Sequence, residues 1–313
     1  MRARPAGIDP GPRAGVFSLV MFGNPTWIRR LLAAACAGLL LAAGCGRRAP
    51  QECRYPTLFD AAANGDAADV RCHLENGESA NARSADGRTA LMAAAEAGHV
   101  AVAQLLLDKL AAVDARGPAG RTALMLAAYA GQRELVALLT SKGAAVNACG
   151  EDGFTALTFA VERGDLEIVR HLVRQGADLN IKGAAGYTPL LFAAEKGRLE
   201  IVQLLVESGA DIHILGAVNY TPLIFAAEAG HLDVVRYLAG KGVPLDARGD
   251  DSYTALIAAA EEGHLDVVRY LVESGAAADL KTADGRTART AAEKRLSIKR
   301  GGKAAPEVIQ WPR

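Results

Sequence analysis

The side chains here with the widest chemical repertoire are six histidines and five cysteines. A zinc site would need three or four of them converging at about 2 Å from the metal. No Cys-x-x-Cys pair occurs, and His73, His99, His171, His213, His231 and His264 are spread along the chain. His99, His231 and His264 each follow a glycine directly, which fits a helix-start or loop-bonding role. Aspartates and glutamates are plentiful but periodic, as on a solvated face, and no nucleophile–base or acid–base set stands out. No catalytic residue, metal or cofactor is therefore expected, and the chain is read as a binder, not an enzyme.

Two periodic rows carry binding chemistry instead. Arg88, Arg121, Phe154, Tyr187, Tyr220, Tyr253 and Arg286 recur every 33 residues. Aromatic and arginine side chains dominate interaction hot spots. The plainer reading is that the rings pack between repeats and stiffen them. A second row, Glu96, Tyr129, Glu162, Glu195, Glu228 and Glu261, has the same period. Together they suit a protein partner with exposed basic and apolar residues.

The elements that position these rows follow from one repeat. Thr89, Thr122, Thr155, Thr188, Thr221, Thr254 and Thr287 recur without insertion. Each suits the N-cap of a short first helix, and Pro189 and Pro222 fit its first helical position. A glycine nine residues on (Gly98, Gly131, Gly164, Gly197, Gly230, Gly263) is placed to end that helix in a left-handed conformation. A second helix follows, as in Leu232 to Leu238, with apolar residues at helical spacing. A second glycine stops it (Gly143, Gly176, Gly209, Gly242, Gly275), and an extended turn leads to the next threonine. Small residues such as Ala193-Ala194 and Ala226-Ala227 let first helices approach closely.

A 33-residue period with these signatures resembles the ankyrin repeat, most closely in Gly186-Tyr187-Thr188-Pro189-Leu190 and Ala226-Ala227-Glu228-Ala229-Gly230-His231. The resemblance covers about residues 54 to 295. It implies an all-α repeat solenoid of helix pairs with β-hairpin-like fingers, here seven units and a half-unit C-terminal cap. It also implies binding through the fingers and the inner face of the first helices, where the residue before each threonine points. The chain departs from the family where a histidine is usual. Met92, Met125, Thr158, Leu191, Ile224, Ile257 and Thr290 stand there, so apolar packing must replace that histidine's hydrogen bonds. Leu110 occupies a helix-ending glycine position. A left-handed leucine costs roughly 1 kcal/mol or more, so an altered turn is expected over 109–112. Gly117-Pro118-Ala119-Gly120 is expected to loosen the next finger.

The ends read differently. Arg29-Arg30, the apolar run Leu31–Ala43 and Leu41-Ala42-Ala43-Gly44-Cys45 form a secretory signal that resembles a bacterial lipobox, with Cys45 as the lipidation site. The alternative is an ordinary signal cut after Ala43 or Gly44. The run is shorter than the roughly 20 residues that span a bilayer. Residues 1–44 are thus a signal region, with 1–20 a mis-assigned start ahead of Met21, and 45–53 a lipid-anchored linker. Residues 54–296 form the repeat domain and 297–313 a flexible basic tail. Gly46 after Cys45 resembles an outer-membrane sorting signal, giving a periplasm-facing anchor. Export permits a Cys53–Cys72 bridge across the first unit, the alternative being two free thiols. Cys149 reads as a small finger residue. Without residues 1–44 the chain holds 30 basic and 34 acidic residues, which disfavours nucleic acid. The leading expectation is an envelope scaffold or inhibitor, monomeric alone. The alternatives are a stress-protective envelope protein or a non-catalytic subunit of a periplasmic enzyme.

Overall fold

A computed structural model describes residues 51–299. The chain divides into two units, Met1–Pro50 and Gln51–Arg313. The expected signal region and Cys45 lie outside the described residues, as do residues 300–313. No helix among the described residues is long and apolar enough to cross a membrane.

Short first helices alternate with nine-residue second helices. The first helices are α1 (Leu58–Ala63), α3 (Ala90–Ala97), α5 (Ala123–Ala130), α7 (Ala156–Arg163), α9 (Pro189–Glu195), α11 (Pro222–Ala229) and α13 (Ala255–Glu262). Each is followed by its partner: α2 (Ala67–Glu75), α4 (Val100–Asp108), α6 (Arg133–Ser141), α8 (Leu166–Arg174), α10 (Leu199–Glu207), α12 (Leu232–Gly240) and α14 (Leu265–Glu273). A last helix, α15 (Ala288–Lys299), stands without a partner among the described residues. It runs through Lys299, so residues 297–299 are helical and not loose tail.

The threonines begin the helices. Thr89, Thr122, Thr155, Thr188, Thr221, Thr254 and Thr287 each accept from the N–H three residues on, at 3.2–3.4 Å. Such a cap contributes about 1 kcal/mol. The glycines that end the first helices meet two demands. Gly98 has φ +91°, and a Cβ there would lie 2.8 Å from the Gln132 side chain of the next unit. That neighbour reaches back to close the helix. Gln132 Nε2 donates to Glu96 O, and His99, His231 and His264 donate from Nε2 to the Ala63, Glu195 and Glu228 carbonyls at 3.0–3.1 Å. Each satisfies a last-turn carbonyl that its own helix leaves orphaned. These histidines are interlocks between units.

Every first helix packs on the next first helix, from α1·α3 to α13·α15, and second helices form a parallel row. The alanines Ala94, Ala128, Ala160, Ala194, Ala227 and Ala259 are fully covered between them. Met92, Met125, Leu191, Ile224 and Ile257 are buried where the family has histidine. Thr158, also buried, completes a capping box with Thr155. Ala288, Ala291 and Ala292 of α15 are buried, and its polar face closes the end of the core.

The fingers are not hairpins. Among the described residues there is no strand, only one isolated bridge, Arg83 to Thr89. Each finger is closed instead by one backbone cross-bond, from the N–H five residues before the threonine to the carbonyl just before it. These are Ser84, Gly117, Gly150, Gly183, Gly216, Gly249 and Thr282 donating to Arg88, Arg121, Phe154, Tyr187, Tyr220, Tyr253 and Arg286, at 2.8–3.0 Å. One bond cannot build a ladder. Gly117 makes it as the others do, so the finger over 117–120 is not loosened. The turn at Leu110 is not altered either. Leu110 takes φ +62°, and Ala111 N–H donates to Leu106 O at 2.9 Å, as Ala144 does to Leu139 in the glycine-bearing unit. The stack imposes the turn and the leucine bears the strain.

A second interlock runs along the finger bases. Asn81, Asp114, Asn147, Asn180 and Asp246 each accept the N–H 31 residues on, at 2.7–2.9 Å. The one break in this series pairs His213 with Pro244, which has no N–H to donate. At the amino end Cys53 and Cys72 form a disulfide, with Cα atoms 5.8 Å apart. Asp69 beside it accepts from Tyr55 N–H at 2.9 Å, and His73 bridges Glu78 Oε2 (2.9 Å) and Tyr55 O (3.1 Å).

Candidate partner-binding site

The finger closures aim the residue before each threonine at the first helices. The rings there do not stand free. Phe159, Phe192 and Phe225, one turn into α7, α9 and α11, fill the space between them. One chain of ring contacts runs Tyr129–Phe159 (5.8 Å), Phe159–Phe154 (6.0 Å), Phe154–Phe192 (5.3 Å), Phe192–Tyr187 (4.8 Å), Tyr187–Phe225 (5.2 Å), Phe225–Tyr220 (5.5 Å) and Tyr220–Tyr253 (6.0 Å). Aromatic pairs at such separations add about 0.5–1.5 kcal/mol each beyond burial. Tyr129 belongs to this chain, although its place in the repeat is that of the glutamates.

Phe154 differs from the other candidates. It is only 8% exposed, and the next finger lies on it at Gly183, where any Cβ would collide with the ring. Phe154 is therefore a packing residue, not part of an open floor. Tyr187, Tyr220 and Tyr253 are half-buried, and Gly249 of the next finger lies on the Tyr220 ring as Gly183 does on Phe154. Tyr129 is 54% exposed and is the open ring of the set.

The arginines at the two ends of the row are engaged within the chain. Arg88 pairs with Glu96, and Arg286 with Glu261 at 2.5 Å and Asp284 at 2.7 Å. Arg121 lies 4.1 Å over the Phe159 ring and 2.7 Å from Asp152 on the next finger. The middle of the face carries glutamates, of which Glu195 pairs with Lys196 at 2.9 Å. Glu195 and Glu228 crowd Tyr187, whose hydroxyl is held well above its ordinary range, first by burial and then by those charges. Burial, then Glu228 and Glu261, push Tyr220 up to about 12. Glu162 is exposed with no hydrogen bond or ion pair among the described residues.

The face therefore combines a rigid aromatic ridge, a run of carboxylates from Glu162 to Glu261, and Tyr129 at its open end. It can dock a surface. Cys53, Asp69 and Cys72 lie close enough together for a metal, but the two sulfurs are bonded to each other. Cys149 is a free thiol on a finger, half-buried against Asn147 O. Sequence reasoning missed Phe159, Phe192 and Phe225, whose 33-residue spacing was a readable signal.

A search of curated proteins finds no match to this chain. The family model for ankyrin repeats matches three times, over residues 58–149, 142–216 and 214–284. Those matches span most of the described structure, and they coincide with the helix pairs and fingers. The chain belongs to the ankyrin-repeat family, whose repeats build protein-interaction scaffolds.

Proposed function

We propose that this protein is a non-catalytic scaffold or inhibitor anchored by Cys45 in a bacterial envelope, with seven repeat units and a half-unit cap displaying one acidic, ring-backed face to a protein partner. The supporting observation is the run Glu162, Glu195, Glu228 on a face whose rings are already locked together. Such a face binds without ordering itself first, and less conformational freedom is lost on association. Its partner presents lysine or arginine beside apolar side chains. The lipobox-like Leu41–Cys45 supports the anchor, and the bridge in the first unit is compatible with an oxidising compartment.

The test is chemical cross-linking of the full chain in envelope extract, followed by mass spectrometry. Glu162→Lys and Glu195→Lys should abolish one stoichiometric complex while leaving the melting temperature unchanged. A complex that survives both reversals, or substrate turnover by the purified chain, contradicts the proposal.

A further inference from the structure

A cavity of about 280 Å³ opens between the second helices α6 and α8, whereas the glutamate row stands on first helices. Buried Val136 and Ile168 lie at its base, and Arg133, Glu167, Arg170, His171 and Arg174 line it. This lining departs from the chain's own repeat. At the position of Arg133 other units carry an apolar residue, as in Leu166, Leu199, Leu232 and Leu265. At that of His171 they carry uncharged residues, as in Leu105, Leu138, Leu204, Tyr237 and Tyr270. Arg174 replaces an acid, since Glu75, Asp108, Glu207 and Glu273 hold its position elsewhere. Three departures toward basic chemistry, in two adjacent units, meet at one cavity. Arg170 alone follows the repeat, with Arg71, Arg236 and Arg269 at its position.

The bonding leaves donors open. Arg133 donates from Nε to both oxygens of Asp165 at 3.1 Å, and its two terminal nitrogens make no hydrogen bond among the described residues. Arg170 stands 3.8 Å from Glu167, beyond hydrogen-bond reach. Arg174 is exposed and makes neither hydrogen bond nor ion pair among the described residues. Three guanidiniums thus face two carboxylates. The exposed acids on the same and the next helix, Glu134 on α6 and Glu200 and Glu207 on α10, form no ion pair with them among the described residues. His171 Nε2 lies 2.8 Å from Thr140 Oγ1, whose own proton goes to the Val136 or Ala137 carbonyl. That bond ties α8 to α6 and fixes the width between them.

We infer that this cavity is an anion site for a phosphomonoester group, held by Arg133, Arg170 and Arg174 with His171 beside them. Planar guanidiniums bind phosphate oxygens through paired, charge-assisted hydrogen bonds. A phosphomonoester offers three terminal oxygens to three arginines, where a carboxylate or a phosphodiester offers two. Its charge also meets the guanidinium that no carboxylate offsets. The donors belong to two helices already joined at His171 and Thr140, so little ordering is needed on binding. The same group can come from a soluble phosphorylated compound or from the headgroup of a lipid. This site shares no residue with the glutamate face, so either can fail alone.

The test titrates the full chain with inorganic phosphate at constant pH and ionic strength, following the histidine ring resonances by NMR. The His171 resonance should shift and saturate while those of His231 and His264 stay still. Arg174→Glu and Arg133→Leu should each weaken binding about tenfold or more. Both restore the residue type of other units, so both should fold, and an unchanged melting temperature checks that they do. Phosphatidylcholine vesicles with and without phosphatidate then separate the sources. Extra retention on phosphatidate that Arg174→Glu abolishes assigns a lipid headgroup, and phosphate binding without that preference assigns a soluble phosphomonoester. A His171 resonance that does not saturate with phosphate, equal affinity in Arg174→Glu, or acetate binding as tightly as phosphate would each overturn the inference.

Discussion

Leu110 holds a backbone conformation that glycine holds in the other units, and it is 84% exposed, so it gains no burial in return. Replacing it with glycine removes the left-handed penalty of roughly 1–2 kcal/mol, offset in part by glycine's greater unfolded-state entropy. Leu110→Gly should therefore stabilise the chain by about 1 kcal/mol in urea unfolding, and an unchanged midpoint would show that the turn carries no strain. The tyrosines give a second residue-scale expectation. Tyr220 is raised from 10.0 to about 12. Its folded form holds the proton more tightly than the unfolded form does. The associated stability is thus complete below pH 10 and is lost as pH rises through about 12. Stability measured across that window should fall, and Tyr220→Phe should flatten the fall; an identical pH profile for the variant would refute the cause given. The threonines were legible as caps because one hydroxyl meeting one amide is a local event. The strain at Leu110 was legible too, but not its outcome, since neighbouring units decide whether a turn yields.

Among the elements, the helix pairs follow from period, caps and glycines, and α11 starts after its capping Thr221 and ends at Gly230, as those signals require. The fingers did not read as well. The resemblance implied hairpin-like fingers, but one cross-bond per finger leaves no strand among the described residues, and the finger bases are tied by Asx acceptors to amides 31 residues on. That tie skips a repeat boundary, so no local pattern shows it; only comparing Asn81, Asp114, Asn147 and Asn180 in register does. The first unit, which has one neighbouring unit among the described residues, is stapled by the Cys53–Cys72 bridge. Closing a loop of this size contributes about 3 kcal/mol in the chain-entropy model. In a stack with nearest-neighbour coupling, reduction should speed amide exchange in α1 and α2 and leave α7 to α11 unchanged. Uniform acceleration along the chain would mean that the units unfold as one.

At the scale of the molecule, each unit supplies part of an interior and part of a face. The sequence showed which residues share the face, because a 33-residue step returns each side chain to one row. It did not show which rings are spent on packing. Phe154 and Tyr187 occupy equivalent positions, yet the first is buried under Gly183 of the next finger and the second is only half-buried. What remains is the exposed Glu162 and the open ring of Tyr129, with Glu195 and Glu261 held by Lys196 and Arg286, so recognition through Glu162 should weaken with salt. Hydrogen exchange of the full chain, free and in complex with the protein cross-linked to it, bears on this most directly. Slower exchange confined to α5, α7, α9, α11 and the fingers entering them is the expected outcome. Protection restricted to the second helices, α6 to α12, would contradict the assigned face.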